Sequence, residues 1–201
     1  IIADTADEAE TLYRDLSFFL GTSDSEAANE GLWFLGSDEK SPFEAHSPDP
    51  KAVMERIATL YRLSREISEM RALIVTPDAF ARKHIPSSCF TDNFEYLVNG
   101  ESFNRDHILE RLVNWGYNSV NVVEDPGTFS VRGGIIDIFS PYHSKPIRVD
   151  LFGDEIESLR LFNPSNQRTV EEIEDAILLP AREIIFSEKV ADHAISEVRK
   201  I

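Results

Sequence analysis

The sequence predicts an α/β protein built from two linked units, because two different patterns follow each other along the chain. Up to residue 91, short apolar runs alternate with segments of helical periodicity, which is typical of a parallel sheet flanked by helices. From Asn118 to Phe162, successive strand patterns are separated by turn sequences, which indicates an antiparallel meander. We therefore divide the chain into residues 1–91, residues 92–180, and a helical segment, residues 181–201, that returns to pack on the first unit.

The first unit is predicted from helix caps and buried strands. Thr5 and Glu8 have the spacing of a capping box, and Gly21 is placed to end the helix that they begin. Asp49 precedes a second helix, whose apolar residues recur at helical spacing. Fully apolar runs predict two strands, Leu32–Leu35 and Ala72–Val75.

The second unit begins with one strand and one helix before the meander. Residues 94–98 have a strand pattern, and Asn104 and Gly116 are placed to begin and end a helix. The turns of the meander are Asp125-Pro126-Gly127, Gly133-Gly134, Ser144-Lys145-Pro146 and Gly153-Asp154. Four apolar residues of its strands are assigned to the core: Phe129, Ile136, Ile138 and Phe139.

Composition excludes several classes of function. The chain has 20 basic and 36 acidic residues and a net charge of −16, which opposes a large phosphate-binding surface. Its single cysteine excludes an internal disulfide, and its five scattered histidines have no spacing that suits zinc. No apolar run approaches the roughly 20 residues of a membrane span. We therefore expect a cytoplasmic protein that makes no contact with a membrane, and we interpret the chain as a piece of a longer protein.

Patterns that suggest catalysis fail a closer test. The stretch from Gly36 to Ser41 does not match the phosphate-binding loop G-x-x-x-x-G-K-[ST], and the carboxylates within it would repel phosphates. Asp154 and Glu155 resemble the acidic pair of a magnesium-binding strand, but their context indicates a hairpin turn. Cys89 is interpreted as a packed apolar residue. We predict no catalytic residue, no cofactor site and no metal site in this chain.

The most specific pattern is the segment WGYNSVNVVEDPGTFSVRGGIIDIFSPYHSKPIRVDLFGDEIESLRLFNPSNQRT, residues 115–169. With its elements GY, PG-x-F-x-VRGGI-x-DIF, PIR, FGDEIES and QRT, it resembles the second domain of the bacterial transcription-repair coupling factors (Mfd). That domain is shared in outline with the excision-repair protein UvrB. Upstream, SPFEAHSPDPKAVMERIATLYRL and LIVTPDAF resemble the preceding domain of the same family. UvrB itself is expected to insert a long tyrosine-rich hairpin, for which residues 76–93 leave no room.

The resemblance implies an incomplete helicase-like parallel α/β domain with an inserted small α+β domain. It also implies a non-catalytic adaptor whose second domain binds UvrA and brings excision repair to a stalled RNA polymerase. A C-terminal region of the same protein is expected to mask that surface. RNA polymerase, DNA, ATP and magnesium are expected to bind in other domains, those of a translocase. The alternative is part of an ATP-dependent DNA repair enzyme such as UvrB, with a nucleotide site completed by further segments.

The residues themselves place a candidate binding site on the meander. Arg132 precedes a glycine turn and Arg148 lies on a later strand, so the two guanidiniums can share one face of the sheet. Phe152 offers an apolar anchor near them. Guanidiniums bind carboxylates in bidentate fashion and aromatic rings supply buried area, so this set is typical of an interface hot spot. The resemblance makes UvrA the expected partner, with Arg160 and Arg168 as weaker members of the site.

The same arginines allow a second interpretation. Across neighbouring strands, they would pair with Asp137, Asp150 or Glu157 and only increase the solubility of the sheet surface. The sequence leaves the choice between the two interpretations open.

Overall fold

The computed structural model describes residues 1–21, 31–36, 49–183 and 185. The helices are α1 (Ala6–Leu20), α2 (Pro50–Arg65), α3 (Pro77–Ala81), α4 (Cys89–Asp92) and α5 (Arg105–Asn114). The strands are β1 (Leu32–Leu35), β2 (Ala72–Val75), β3 (Glu95–Val98), β4 (Asn118–Ser119), β5 (Thr128–Arg132), β6 (Ile135–Ile138), β7 (Ile147–Phe152), β8 (Glu155–Phe162), β9 (Thr169–Ile173) and β10 (Asp175–Leu178). This mixture of helices and several sheets agrees with the predicted α/β class.

The first unit is a small parallel sheet between two helices. Strands β1 and β2 pair in parallel, and Ile2 adds a parallel bridge to Val75 at the other edge of β2. Helix α1 packs on the sheet face that carries Leu32 and Ile74. Helix α2 packs on the opposite face, where Leu60 contacts the core around Leu35. The predicted strands and the parallel arrangement are therefore confirmed.

The predicted helix caps are present. The Thr5 hydroxyl accepts a hydrogen bond from the Glu8 amide at 3.2 Å, while the Glu8 carboxylate accepts one from the Asp4 amide at 2.9 Å. Gly21 ends α1 with a φ of 72°, a conformation that glycine adopts without steric cost. At the N-termini of α2 and α5, the carboxylate of Asp49 and the amide oxygen of Asn104 accept hydrogen bonds from backbone amides of the first turn, as Thr5 does in α1.

The second unit is a six-stranded sheet in the order β4-β5-β6-β7-β8-β9. All pairs from β5 to β9 are antiparallel, which confirms the predicted meander for these strands. The first pair is different, because β4 runs parallel to β5. The connection between the two strands returns to the start of β4 before β5 begins. At that point the Asn118 amide donates a hydrogen bond to the Gly127 carbonyl at 2.9 Å. The four residues assigned to the core are all buried: Phe129, Ile136, Ile138 and Phe139.

The two units contact each other through α2 and the connection after β6. Tyr61 on α2 packs edge to face against Tyr142, with ring centroids 5.7 Å apart. Arg62 donates to the Tyr142 carbonyl at 2.7 Å, and the Tyr142 hydroxyl donates to the Glu66 carboxylate at 2.8 Å. The neighbouring His143 accepts a hydrogen bond at Nε2 from the backbone amide of Ile177 at 3.1 Å. Desolvation, helped by Arg62, lowers the pKa of His143 to about 4.

The ends of the second unit also meet, because β3 and β10 pair antiparallel. Beyond β10, Glu183 binds the buried Arg56 of α2 at 2.6 Å. Of the segment for which a returning helix is predicted, residues 181–201, the structure describes residues 181–183, which form bends, and residue 185. The rest of that prediction lies outside the described residues, as do residues 37–41 of the rejected phosphate-loop pattern. None of the helices in the described ranges is long and apolar enough to cross a membrane.

Candidate partner-binding site

The candidate site lies on the face of the six-stranded sheet that points away from α5. Side chains alternate along each strand, so Ile136 and Val149 enter the core while Asp137 and Arg148 project from the opposite face. The register places Asp137 directly opposite Arg148 and Arg148 directly opposite Arg160. A polar row therefore crosses strands β6, β7 and β8.

Asp137 is the centre of this polar row. Its side chain is 1% exposed, although it is a carboxylate. Oδ1 accepts a hydrogen bond from Arg148 Nε at 2.7 Å, and Oδ2 accepts one from Arg148 Nη2 at 2.9 Å. Oδ2 also binds Nη2 of Arg132. The prediction that Arg132 and Arg148 share one face is therefore confirmed, and so is the cross-strand pairing with Asp137 that the second interpretation assumes.

Arg148 is held from three sides. Its third nitrogen, Nη1, approaches the Gln167 carbonyl at 3.4 Å, and its guanidinium carbon lies 4.6 Å from the centroid of the Phe162 ring. The hydrogen bond to Asp137 raises the pKa of Arg148. Only 16% of the Arg148 side chain is exposed. Arg148 is therefore a largely enclosed cation that is fixed in one orientation.

Arg132 and Phe152 are the exposed members of the site. Arg132 ends β5 with 50% of its side chain exposed, and Phe152 ends β7 with 77% of the residue exposed. Both residues adjoin tight turns that contain glycines of positive φ, Gly133 and Gly153. The β5–β6 turn is also held close to β7, because the Leu151 amide donates to the Gly134 carbonyl at 2.8 Å. An exposed cation and an exposed aromatic ring are thus presented by tight hairpins.

A second ion pair lies in the next part of the same face. Asp150 on β7 binds Nη2 of Arg160 on β8, and it accepts a hydrogen bond from the Ser158 hydroxyl at 3.0 Å. Arg160 is 31% exposed, so it contributes less open surface than Arg132. Arg168 lies in the exposed connection before β9, where its amide bonds the Asn166 side chain. Arg160 is therefore much less exposed than Phe152, whereas Arg168 is an exposed residue.

Sequence reasoning missed two supports of the site, Phe162 and Gln167. Phe162 forms a small second core with Val123 and Phe139 on the outer face of the sheet. The Arg148 guanidinium stacks on the Phe162 ring of this core. Gln167 has a φ of 61°, and its side-chain amide donates to the carbonyls of Val123 and Pro164. A non-glycine residue with positive φ is visible only in a structure. For Phe162 the sequence does contain a signal, because alternation along β8 places it on the same face as Arg160.

Two other patterns considered in the sequence, at Asp154 and at Cys89, lie in ordinary structural positions. Asp154 lies in the turn of the β7–β8 hairpin and Glu155 begins β8, as predicted. Cys89 is a free cysteine of intermediate exposure at the start of α4. Among the residues that the structure describes, no group of three or more histidines, cysteines or carboxylates is arranged to hold a metal ion.

A cavity of about 680 Å³ lies where α1, β1 and α2 face the connection after β6. Its lining includes the cations Arg14, Lys51 and Arg62 but also the carboxylates of Glu10 and Glu55. Because the carboxylates offset most of the positive charge, the part of the lining that the structure describes does not have the electrostatics of a polyphosphate site.

Comparison with known proteins identifies the domain that carries this face. Residues 96–184 match the family model of the UvrB interaction domain. Over 200 residues, the chain is 40% identical to a transcription-repair-coupling factor of Myxococcus xanthus, and the match covers 100% of this chain and 16% of that relative. A transcription-repair-coupling factor of Escherichia coli (strain K12) is 32% identical over 183 residues, 91% of this chain and 15% of the relative. One from Staphylococcus aureus (strain bovine RF122 / ET3-1) is 36% identical over 157 residues, 78% of this chain and 13% of the relative.

The second unit is therefore a UvrB interaction domain. The chain as a whole belongs to the family of transcription-repair coupling factors, which confirms the resemblance found in residues 115–169. It spans between 13% and 16% of the length of these relatives.

Proposed function

We propose that this chain is a non-catalytic adaptor that binds UvrA and so recruits nucleotide excision repair to a stalled RNA polymerase. The observation that carries the proposal is the exposed pair Arg132 and Phe152, presented beside a buried carboxylate on the face of a UvrB interaction domain. In the whole protein, RNA polymerase and DNA bind through other domains, and ATP and magnesium are used by translocase domains. A C-terminal region covers the adaptor face, and the protein acts in the cytoplasm.

The exposure of Phe152 and Arg132 is what an interface of this kind requires. A phenylalanine that is 77% exposed leaves most of its apolar area available to a partner. A half-exposed arginine on the same face offers a cation to a partner carboxylate, and such a charge-assisted contact is strong once water is excluded. The cross-strand pair with Asp137 does not oppose this function, because it leaves half of Arg132 open.

The experiment measures the affinity of purified UvrA for this chain, which is immobilised on a sensor surface. We expect saturable binding, which Arg132→Ala and Phe152→Ala weaken. Phe80→Ala is the matched control, because Phe80 is also exposed, at 70%, but lies on α3 of the first unit. A shortened chain of residues 92–180, once shown to be folded, should retain binding. Failure of the complete, folded chain to bind UvrA would refute the adaptor function.

The alternative, a part of an ATP-dependent DNA repair enzyme, predicts a different result. A nucleotide that binds the folded chain raises its stability by mass action, by about 2.7 kcal/mol at a concentration of 100 times its Kd. We expect magnesium-ATP to leave the melting temperature unchanged. A reproducible increase would favour the alternative and would direct attention to the cavity between α1 and α2.

A further inference from the structure

We infer that Asp137 is the positioning residue of the partner-binding face, and that it gives the two arginines different roles. Arg148 is an internal support that fixes the Asp137 carboxylate, and Arg132 is the arginine that reaches the partner. This inference rests on the proposed function, since it concerns the same face of the sheet.

The carboxylate of Asp137 is committed entirely to the two arginines. Both of its oxygens accept hydrogen bonds from Arg148, at 2.7 and 2.9 Å, and Oδ2 also binds Arg132. With 1% of its side chain exposed, Asp137 is not accessible to a partner protein. Its function is therefore exerted through the arginines that it binds.

The two arginines differ in how many of their guanidinium nitrogens already have a hydrogen-bond acceptor within the chain. All three nitrogens of Arg148 have an acceptor, either Asp137 or the Gln167 carbonyl, and the Phe162 ring covers one face. In contrast, Asp137 binds Arg132 through a single nitrogen, Nη2, and half of the Arg132 side chain is exposed. A partner carboxylate therefore reaches Arg132 without breaking the network, but would have to displace Asp137 or Gln167 to form a fork with Arg148.

An anchored arginine binds with a smaller loss of conformational freedom. A free arginine side chain loses rotamer freedom when a partner fixes it, and this loss opposes binding. Asp137 fixes Arg132 before the partner arrives, and Arg148 and Phe162 keep Asp137 in place. The arrangement therefore presents one pre-oriented guanidinium on the face that also carries Phe152.

Positioning and a simple charge effect predict opposite changes in the affinity of the variant Asp137→Asn for its partner. Removal of a negative charge makes the face more positive, so a pure charge effect would strengthen binding to an acidic partner. Loss of positioning would weaken binding instead, because Arg132 becomes free to rotate. Asp150→Asn is the matched control, since Asp150 is 15% exposed on the same face and binds Arg160 instead of Arg132.

The test is a double-mutant cycle in binding to UvrA, with every variant checked for folding by thermal melting. We expect Asp137→Asn to weaken binding at least tenfold, and less than threefold when Arg132→Ala is already present. Asp150→Asn should change binding less than threefold. Equal or tighter binding by Asp137→Asn, or the same loss in both backgrounds, would overturn the inference while leaving the adaptor function intact. If Asp137→Asn does not fold, Phe162→Leu tests the same network and should show the same dependence on Arg132.

A measurement without UvrA separates this inference from the proposed function. In the arginine side-chain NMR spectrum of the free chain, the Arg148 Nε–H should exchange slowly with water and the Arg132 Nε–H rapidly. In Asp137→Asn, we expect the slow signal to be lost. Slow exchange of both arginines, or a slow Arg148 signal that persists in Asp137→Asn, would contradict the assigned roles whether or not UvrA binds.

Discussion

Replacement of Phe152 by alanine should remove binding energy and leave folding almost unchanged. A buried phenylalanine covers about 200 Å² of surface, and each Å² of apolar area is worth about 25 cal/mol. Because 77% of Phe152 is exposed in the free chain, about three quarters of that value remains for a partner. After allowance for the β-carbon that alanine retains, the loss of binding free energy is about 3 kcal/mol, or roughly a hundredfold in Kd. The part already buried is worth less than about 1 kcal/mol of stability.

Surface plasmon resonance with UvrA measures the first quantity, and thermal melting measures the second. For a chain of this size, 1 kcal/mol corresponds to about 2 to 4 °C in melting temperature. Phe80→Ala should leave the Kd unchanged, because its ring lies on another unit. If Phe152→Ala melts several degrees lower and binds UvrA normally, or if Phe80→Ala loses as much affinity, then Phe152 is not the anchor of the interface.

Three further predictions concern charge, pH and backbone. Arg132→Ala should weaken UvrA binding by about 2 to 5 kcal/mol with little change in melting temperature. We expect salt to slow the association of the unmodified chain with UvrA, and Arg132→Ala should remove this effect. Burial and the positive charge of Arg62 lower the pKa of His143 in the folded chain to about 4, against an ordinary 6.5 and despite the opposing charge of Asp175, so its imidazole stays neutral until the pH approaches 4. Because the unfolded chain takes up this proton first as the pH falls, stability should decrease by up to about 3 kcal/mol from pH 6.5 to pH 4 in urea titrations, at about 1.4 kcal/mol per unit of pKa. His143→Gln should reduce this loss, and His107→Gln, on an exposed part of α5, should not. Gly134→Ala would place a Cβ 2.9 Å from the Leu151 carbonyl oxygen, so its unfolding free energy should drop by about 1 to 3 kcal/mol.

Local structure was predictable from the sequence because its signals are local. The cap at Thr5, the αL glycine at Gly21 and the turn at Gly133 each act within a few residues, and each prediction was confirmed. The predicted direction of β4 was wrong, because strand pairing depends on the path of the chain and not on the composition of a short segment. Whether the first unit has the helicase-like arrangement stays a prediction.

The candidate site was predictable as a set of residue types but not as a set of contacts. The sequence offered three carboxylates to the arginines, and only register distinguishes them. Asp137 stands opposite Arg148, Asp150 stands opposite Ser158, and Glu157 is skipped where the β7–β8 register shifts. Register and burial together turn two equivalent arginines into one enclosed and one exposed cation, which no pattern in the sequence could indicate.

The net charge of the whole chain, −16, does not determine the local charge of the binding face. In the two ion-pair clusters of this face, three arginines meet two aspartates, which leaves one positive charge within the clusters. The register also places Glu172 opposite Arg160 and Glu155 opposite Phe152. Distant acidic residues are screened over about 8 Å at physiological salt, so an approaching carboxylate responds mainly to nearby groups. Arg148 and Arg160 are neutralised by aspartates and are less exposed than Arg132. Among the three arginines of the ion-pair clusters, Arg132 is therefore the one that offers an open positive charge, and its hairpin is hydrogen-bonded to the strand that presents Phe152. An acidic chain thus retains a local site for a partner carboxylate.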